Sequence, residues 1–181
     1  MQSQELVISV LRSAERPIDG RTALQKLSYF ASLRTNDDMG FRAHFYGPYS
    51  PLVASTLSDL VTLDYVQESK RLTGQDRLLY SYELTDDGNV LARRIERDVP
   101  REFSEVTKAV TTCESIVGND IDALSWAAKV FFILKLNNRE ISYKRVRDEG
   151  ERLGWKLTNG QVDTGTRLLE ALNLAQASRS G

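Results

Sequence analysis

The sequence predicts a mainly α protein with a small β-hairpin, an α+β fold in two parts. Three observations predict it. Apolar residues recur at helical spacing over most of the chain. Two alternating runs flank one polar, glycine-containing gap and read as a hairpin. Everything after Pro100 is helical in pattern. A chain of 181 residues can bury roughly 70% of its unfolded surface, so its core needs no disulfide or metal to hold it.

Leu6, Val7, Val10, Leu11 and Ala14 mark a first amphipathic helix, ended by Pro17. Asp19 is placed to cap a second helix with Ala23, Leu24, Leu27, Phe30 and Ala31 as its apolar stripe. The polar run from Asn36 to Gly40 reads as a turn. A strand follows, with Phe41, Ala43 and Phe45 on one face and Arg42, His44 and Tyr46 on the other, broken by Gly47-Pro48. Ser50 is an N-cap with Pro51 at the first helical position, where its missing N–H costs nothing. The third helix turns Leu52, Val53, Leu57, Leu60 and Val61 inward, and Ser55, Thr56, Ser58, Asp59 and Thr62 outward.

A strand begins at Tyr65, the tip of a hairpin spans Ser69 to Arg77, and Leu78 to Leu84 return. Thr85 caps a fourth helix, with Asp86 and Asp87 suited to its dipole and Val90, Leu91 and Ile95 as its apolar face. The order is helix, helix, strand, helix, hairpin, helix. This is the arrangement of a winged helix-turn-helix, with the hairpin as the wing. Its expected span is 1–99. A helical extension over 100–181 is expected to pack on it or on a second copy. Its helices carry Val106, Val110, Cys113 and Val117, then Trp126, Phe131 and Ile133 behind a cap at Asp120 or Asp122. Tyr143, Val146 and Leu153 mark a third, ending near Gly154, and Val162, Leu168, Leu169, Leu172 and Leu174 a last one before a frayed tail from Ala175.

Charge narrows the function classes. With 24 basic and 25 acidic side chains the net charge is −1, a weak footprint for a nucleic-acid binder unless a local patch acts alone. One cysteine allows no internal disulfide, which fits a reducing compartment. The N-terminus shows no secretory pattern, and Ala123–Leu136 is too short and too charged to span a bilayer. A cytoplasmic protein without a membrane partner is expected.

Several segments are similar to those of a known family. Leu24-Gln25-Lys26-Leu27-Ser28-Tyr29, the turn Tyr46-Gly47-Pro48-Tyr49-Ser50 and the step Tyr82-Glu83-Leu84-Thr85 resemble motifs of the YwgA-like family of bacterial and archaeal proteins. Leu124-Ser125-Trp126-Ala127-Ala128 and Leu153-Gly154-Trp155 resemble features of its helical half. The first two also resemble the SocA-like antitoxin domain, from which Tyr49 departs. That second likeness implies a protein that grips other proteins. Neither likeness implies a catalytic residue.

No chemistry-bearing constellation accompanies these motifs. His44, the single histidine, has no identifiable nucleophile or orienting carboxylate. Cys113 lies on an apolar stripe beside Glu114, which suits a buried, unreactive thiol. Neither zinc-type spacing nor a calcium loop occurs, and the glycines are too scattered to cradle a phosphate. A non-enzymatic protein without metal or cofactor is expected.

Two binding sites are therefore candidates. For DNA, the wing offers Lys70, Arg71 and Arg77, and the third helix offers Ser55, Ser58 and Thr62 to the major groove. That helix carries no Lys or Arg, and Asp59 and Asp64 repel phosphates. For a protein, Tyr46 and Tyr49 flank a rigid turn beside Arg42 and His44, and tyrosine is enriched at interface hot spots. A second basic run, Arg139 to Lys156, is interleaved with acids and reads as a solvated face. The architecture favours a DNA-binding regulator of transcription or of a defence or toxin–antitoxin system. The alternative is an antitoxin-like or adaptor module that does not bind DNA. A homodimer fits either.

Overall fold

The computed structural model describes residues 1–72, 78–118, 120–137 and 142–174. Its elements run α1 (Ser3–Ser13), β1 (Ile18–Asp19), α2 (Arg21–Thr35), α3 (Pro51–Thr62), β2 (Val66–Leu72), β3 (Leu78–Leu84), α4 (Asp86–Asp98), α5 (Pro100–Val117), α6 (Ile121–Leu136), α7 (Tyr143–Arg152) and α8 (Asn159–Ala171). The protein is mainly helical with a small antiparallel sheet of order β1-β3-β2. No described helix is long and apolar enough to cross a membrane. Residues 73–77 of the expected hairpin tip, Arg77 among them, the basic-run residues Arg139 and Glu140, and the tail from Ala175 lie outside the described residues.

The chain divides into two compact units. One comprises Met1–Phe41 and Ser50–Thr111, the other Arg42–Tyr49 and Thr112–Gly181. The sequence reading set its boundary at Pro100. Residues 100–111 instead group with the first unit, where Glu105 pairs with Arg34 and the Thr107 hydroxyl lies 2.9 Å from that of Ser13.

In the first unit α1 packs on α2, α3, α4 and β3, and Leu6 to Leu11 are all buried. Helix α2 is buried on every side from Ala23 to Ser32, not along one stripe. Gln25, Lys26, Ser28 and Ser32 are therefore inside. Asp19 does not cap α2: it lies in β1 opposite Ser81, and Gly20, at φ 91°, is the N-cap. The two-residue strand β1 carries too little pattern to be read from sequence. The caps at Ser50 and Thr85 are as expected, accepting the Val53 and Gly88 N–H groups at 3.1 and 3.0 Å. Several side chains depart from expectation. Leu52 and Val90 are exposed, Val61 is half-buried, and Thr56 is buried, where its hydroxyl lies 2.9 Å from that of Ser3. In α3 the core side is carried by Val53, Thr56, Leu57 and Leu60.

The hairpin pairs Val66↔Leu84 through Leu72↔Leu78. Ser69 to Leu72 thus belong to β2 and not to the tip. Val66, Glu68, Lys70 and Leu72 share one face with Leu84, Tyr82, Tyr80 and Leu78.

In the second unit α6 packs on α7 and α8. Gly165 marks the close approach of α8 to α6: a Cβ there would lie 3.1 Å from the Ala127 Cα. Asp120, Ser142 and Thr158 cap the three helices. The strand expected from Phe41 to Tyr46 does not form. Residues 45–47 turn the chain back at once, so Arg42 pairs with Tyr49 in a single bridge of 3.0 and 2.9 Å. A strand needs a partner along its length, and this run has one for only one residue.

Candidate functional site

The base of the β2–β3 hairpin holds a connected polar cluster. The first turn of α2 projects Arg21 over the sheet face, where its Nε donates to the Tyr82 hydroxyl at 2.9 Å. That hydroxyl donates to Glu68 Oε2 at 2.9 Å, and Arg21 reaches the same oxygen at 3.3 Å. Lys70 Nζ lies 3.5 Å from Glu68 Oε1. Arg21 also stands 4.4 Å from the centre of the Tyr80 ring, with Lys70 Nζ 5.4 Å from it. Burial, with a smaller contribution from Glu68, pushes the Tyr82 hydroxyl up to about 12. Burial opposes ionisation of Glu68, yet hydrogen bonds from Tyr82, Arg21 and Lys70 outweigh it and hold the carboxyl below its usual range. On the other face Arg71 pairs with Asp19 at 2.6 Å. Lys70 and Arg71, the described hairpin cations expected to meet DNA, therefore each have a carboxylate of their own chain. They remain 55% and 65% exposed.

Helix α3 presents Leu52, Ser55, Ser58, Asp59 and Thr62 to solvent, with Leu63 after it. Ser55 and Thr62 donate their hydroxyls to the carbonyls of Leu52 and Ser58, at 3.0 and 2.9 Å. Their donors are thus occupied within the helix, and only their acceptor capacity faces outward.

The turn after Phe41 divides its labour. Within the first unit Ser50 is a buried hub. The Gln25 side-chain amide pairs with its peptide like a strand neighbour, accepting from the N–H at 2.9 Å and donating to the carbonyl at 3.0 Å. The Ser50 hydroxyl donates to the Met39 carbonyl at 2.5 Å while capping α3. Within the second unit Trp155, fully buried, donates Nε1–H to the His44 carbonyl at 2.8 Å. Phe132 packs edge-on against Trp155, centroids 5.8 Å apart. Gly47, at φ 100°, donates to the same His44 carbonyl at 2.9 Å, which closes the turn. Pro48 is buried and Tyr49 half-buried, its ring 5.1 Å from that of His44.

What this anchoring pushes outward is an aromatic pair. Phe45 is 72% and Tyr46 58% exposed, in an edge-to-face contact at 4.8 Å. Arg42 and His44 are exposed beside them. Without a strand, Arg42, His44 and Tyr46 do not share a strand face, so that expectation is corrected. Phe45, expected to share a strand face with Phe41 and Ala43, is the most exposed of the large apolar side chains among the described residues. Sequence reasoning missed Gln25, Trp155, Phe45 and the Arg21–Glu68–Tyr82 cluster. The two tryptophans and the buried-looking glutamine inside an apolar helix were the available signals.

Cys113 is buried, and burial, with Glu114 adding to it, pushes its thiol up to about 12. On α7, Arg152 pairs with Glu149 at 2.8 Å, and Lys144 and Arg145 are solvated.

No family model matches the chain. Over 84 residues it is 32% identical to the uncharacterised protein YwgA of Bacillus subtilis (strain 168), a stretch covering 46% of this chain and 50% of that protein. The chain spans about half the length of the curated relative it matches. That likeness supports the kinship with YwgA-like proteins that the motifs of α2, the 46–50 turn and β3 suggest.

Proposed function

We propose that this protein is a non-enzymatic binding module of the winged-helix type, and that its partner is a protein gripped by the 42–49 turn. The observation that carries the reading is the exposed Phe45–Tyr46 pair on an anchored base. Each such ring removes roughly 150–250 Å² from water when buried, and the bridge and the Trp155 bond hold the turn before any partner arrives. A turn held in place beforehand loses less freedom on binding. The cation-free α3 and the internally paired wing point the same way. So does the resemblance to SocA-like antitoxins, which grip proteins.

A second reading, a DNA-binding regulator, is favoured by one observation. The order α1-β1-α2-α3-β2-β3 is that of winged helices, with α3 in the position of a recognition helix and Lys70 and Arg71 exposed on the wing.

The two separate cleanly. Affinity purification from the source cells should recover a stoichiometric protein companion that Phe45→Ala/Tyr46→Ala loses while circular dichroism is unchanged. A companion retained by that double variant overturns the assignment of the turn. Retention on duplex DNA that falls with salt, and falls further on Lys70→Glu/Arg71→Glu, replaces the first reading with the second.

A further inference from the structure

The wing ends the sheet with an open edge, and that edge is complementary to itself. β2 is an outer strand, and Gln67 and Ser69 to Leu72 are exposed. Gly20 donates its N–H to the Tyr80 carbonyl at 2.7 Å, so the backbone groups of Tyr80 face β1. In an antiparallel ladder those groups alternate sides. Lys70, opposite Tyr80, therefore turns its own N–H and C=O away from β3, and so do Glu68 and Leu72. These are the groups a further strand would meet.

We infer that the free edge of β2 pairs antiparallel with β2 of a second copy of this chain, with the two Ser69 residues facing each other across the two-fold axis. Hydrogen bonding requires outward residues to oppose outward residues, which leaves few registers. One sets Lys70 against Lys70 and one sets Glu68 against Glu68. The register centred on Ser69 sets Glu68 against Lys70 twice and Gln67 against Arg71. Like charges oppose each other in the first two and in the register centred on Arg71, and the register centred on Gln67 needs the buried Val66 as an edge residue, so charge and burial select the one centred on Ser69. Edge strands commonly carry lysine to repel other strands. Here the same lysine has its counter-charge two residues away, where a two-fold axis uses it. The inference is independent of the partner assigned to the 42–49 turn.

Disulfide trapping in the full-length chain tests it. Ser69 faces its own copy in a pair without mutual hydrogen bonds, with Cα atoms about 4.5 Å apart, inside the range a disulfide spans. Ser69→Cys should therefore dimerise under mild oxidation about tenfold faster than Gln67→Cys, a position that is also exposed but faces Arg71 instead. The native Cys113 is buried and does not compete. Adding Lys70→Pro to Ser69→Cys removes an outward N–H without touching the β2–β3 ladder. Lys70→Glu sets Glu68 against a glutamate. Each should return Ser69→Cys to the Gln67→Cys rate while the circular dichroism is retained. Equal rates for the two cysteine variants, or fast trapping that survives Lys70→Glu, overturns the inference.

Discussion

Ser50 shows how much one residue of a turn can carry. Its N–H, carbonyl and hydroxyl are all engaged, and two of those bonds go to a glutamine amide buried in α2. Replacing Gln25 with Leu keeps the volume but leaves the Ser50 N–H without its partner inside the protein. Such a loss costs about 1–3 kcal/mol, so the urea midpoint of Gln25→Leu should fall accordingly. A midpoint equal to the wild type would mean that water reaches the site. Cys113 makes the opposite point, since its chemistry is suppressed by its surroundings. With the thiol pushed up to about 12 and fully buried, it should resist a thiol reagent in the folded protein and react on addition of denaturant. Rapid labelling of the native protein would contradict that burial.

At the scale of elements, two junctions set the position of the hairpin. The first is the close approach of α4 to the start of β2. A Cβ at Gly88 would lie 2.0 Å from the Tyr65 carbonyl oxygen, a backbone atom that cannot swing aside. Gly88→Ala should destabilise the first unit by about 2 kcal/mol or more, despite the better helix propensity of alanine. Thermal unfolding reads it. The second is the Arg21–Glu68–Tyr82 cluster, which ties α2 to both long strands. The folded-state value of Glu68 is lowered, so its contribution is fully present above the ordinary value of 4.5 and is lost as the pH falls through the lowered one. The stability difference between wild type and Glu68→Gln should therefore be largest near neutral pH and shrink in acid. A difference independent of pH would show that Glu68 acts by shape alone.

At the scale of the molecule, the division of the chain is testable with fragments. A fragment ending at Val99 matches the boundary legible at Pro100, but lacks the partners of Arg34 and Ser13 on α5. A fragment ending at Val117 keeps them. The shorter one should unfold at lower urea concentration, as followed by far-ultraviolet circular dichroism. Equal midpoints would place the boundary at Pro100 after all. The helices and the hairpin were legible because each repeats one period over two or more turns or pairs. The 41–49 segment was not, because its alternation mimicked a strand whose partner never arrives. The alternation of Phe41, Ala43 and Phe45 is a statement about side-chain order, and only the bridge at Arg42 and Tyr49 decides which of them meets water.

The sequence by itself determined the helical periods, the caps at Ser50 and Thr85, the hairpin and the inert setting of Cys113. Each of these depends on neighbours within a few residues, where spacing and side-chain chemistry suffice. Tertiary structure alone decided that α2 is buried on every side, that Asp19 belongs to a strand, that Lys70 and Arg71 are met by Glu68 and Asp19, and that Phe45 stands in solvent. These depend on partners far along the chain, such as Arg21 for Glu68 and Trp155 for His44, and no local pattern encodes which distant residue arrives.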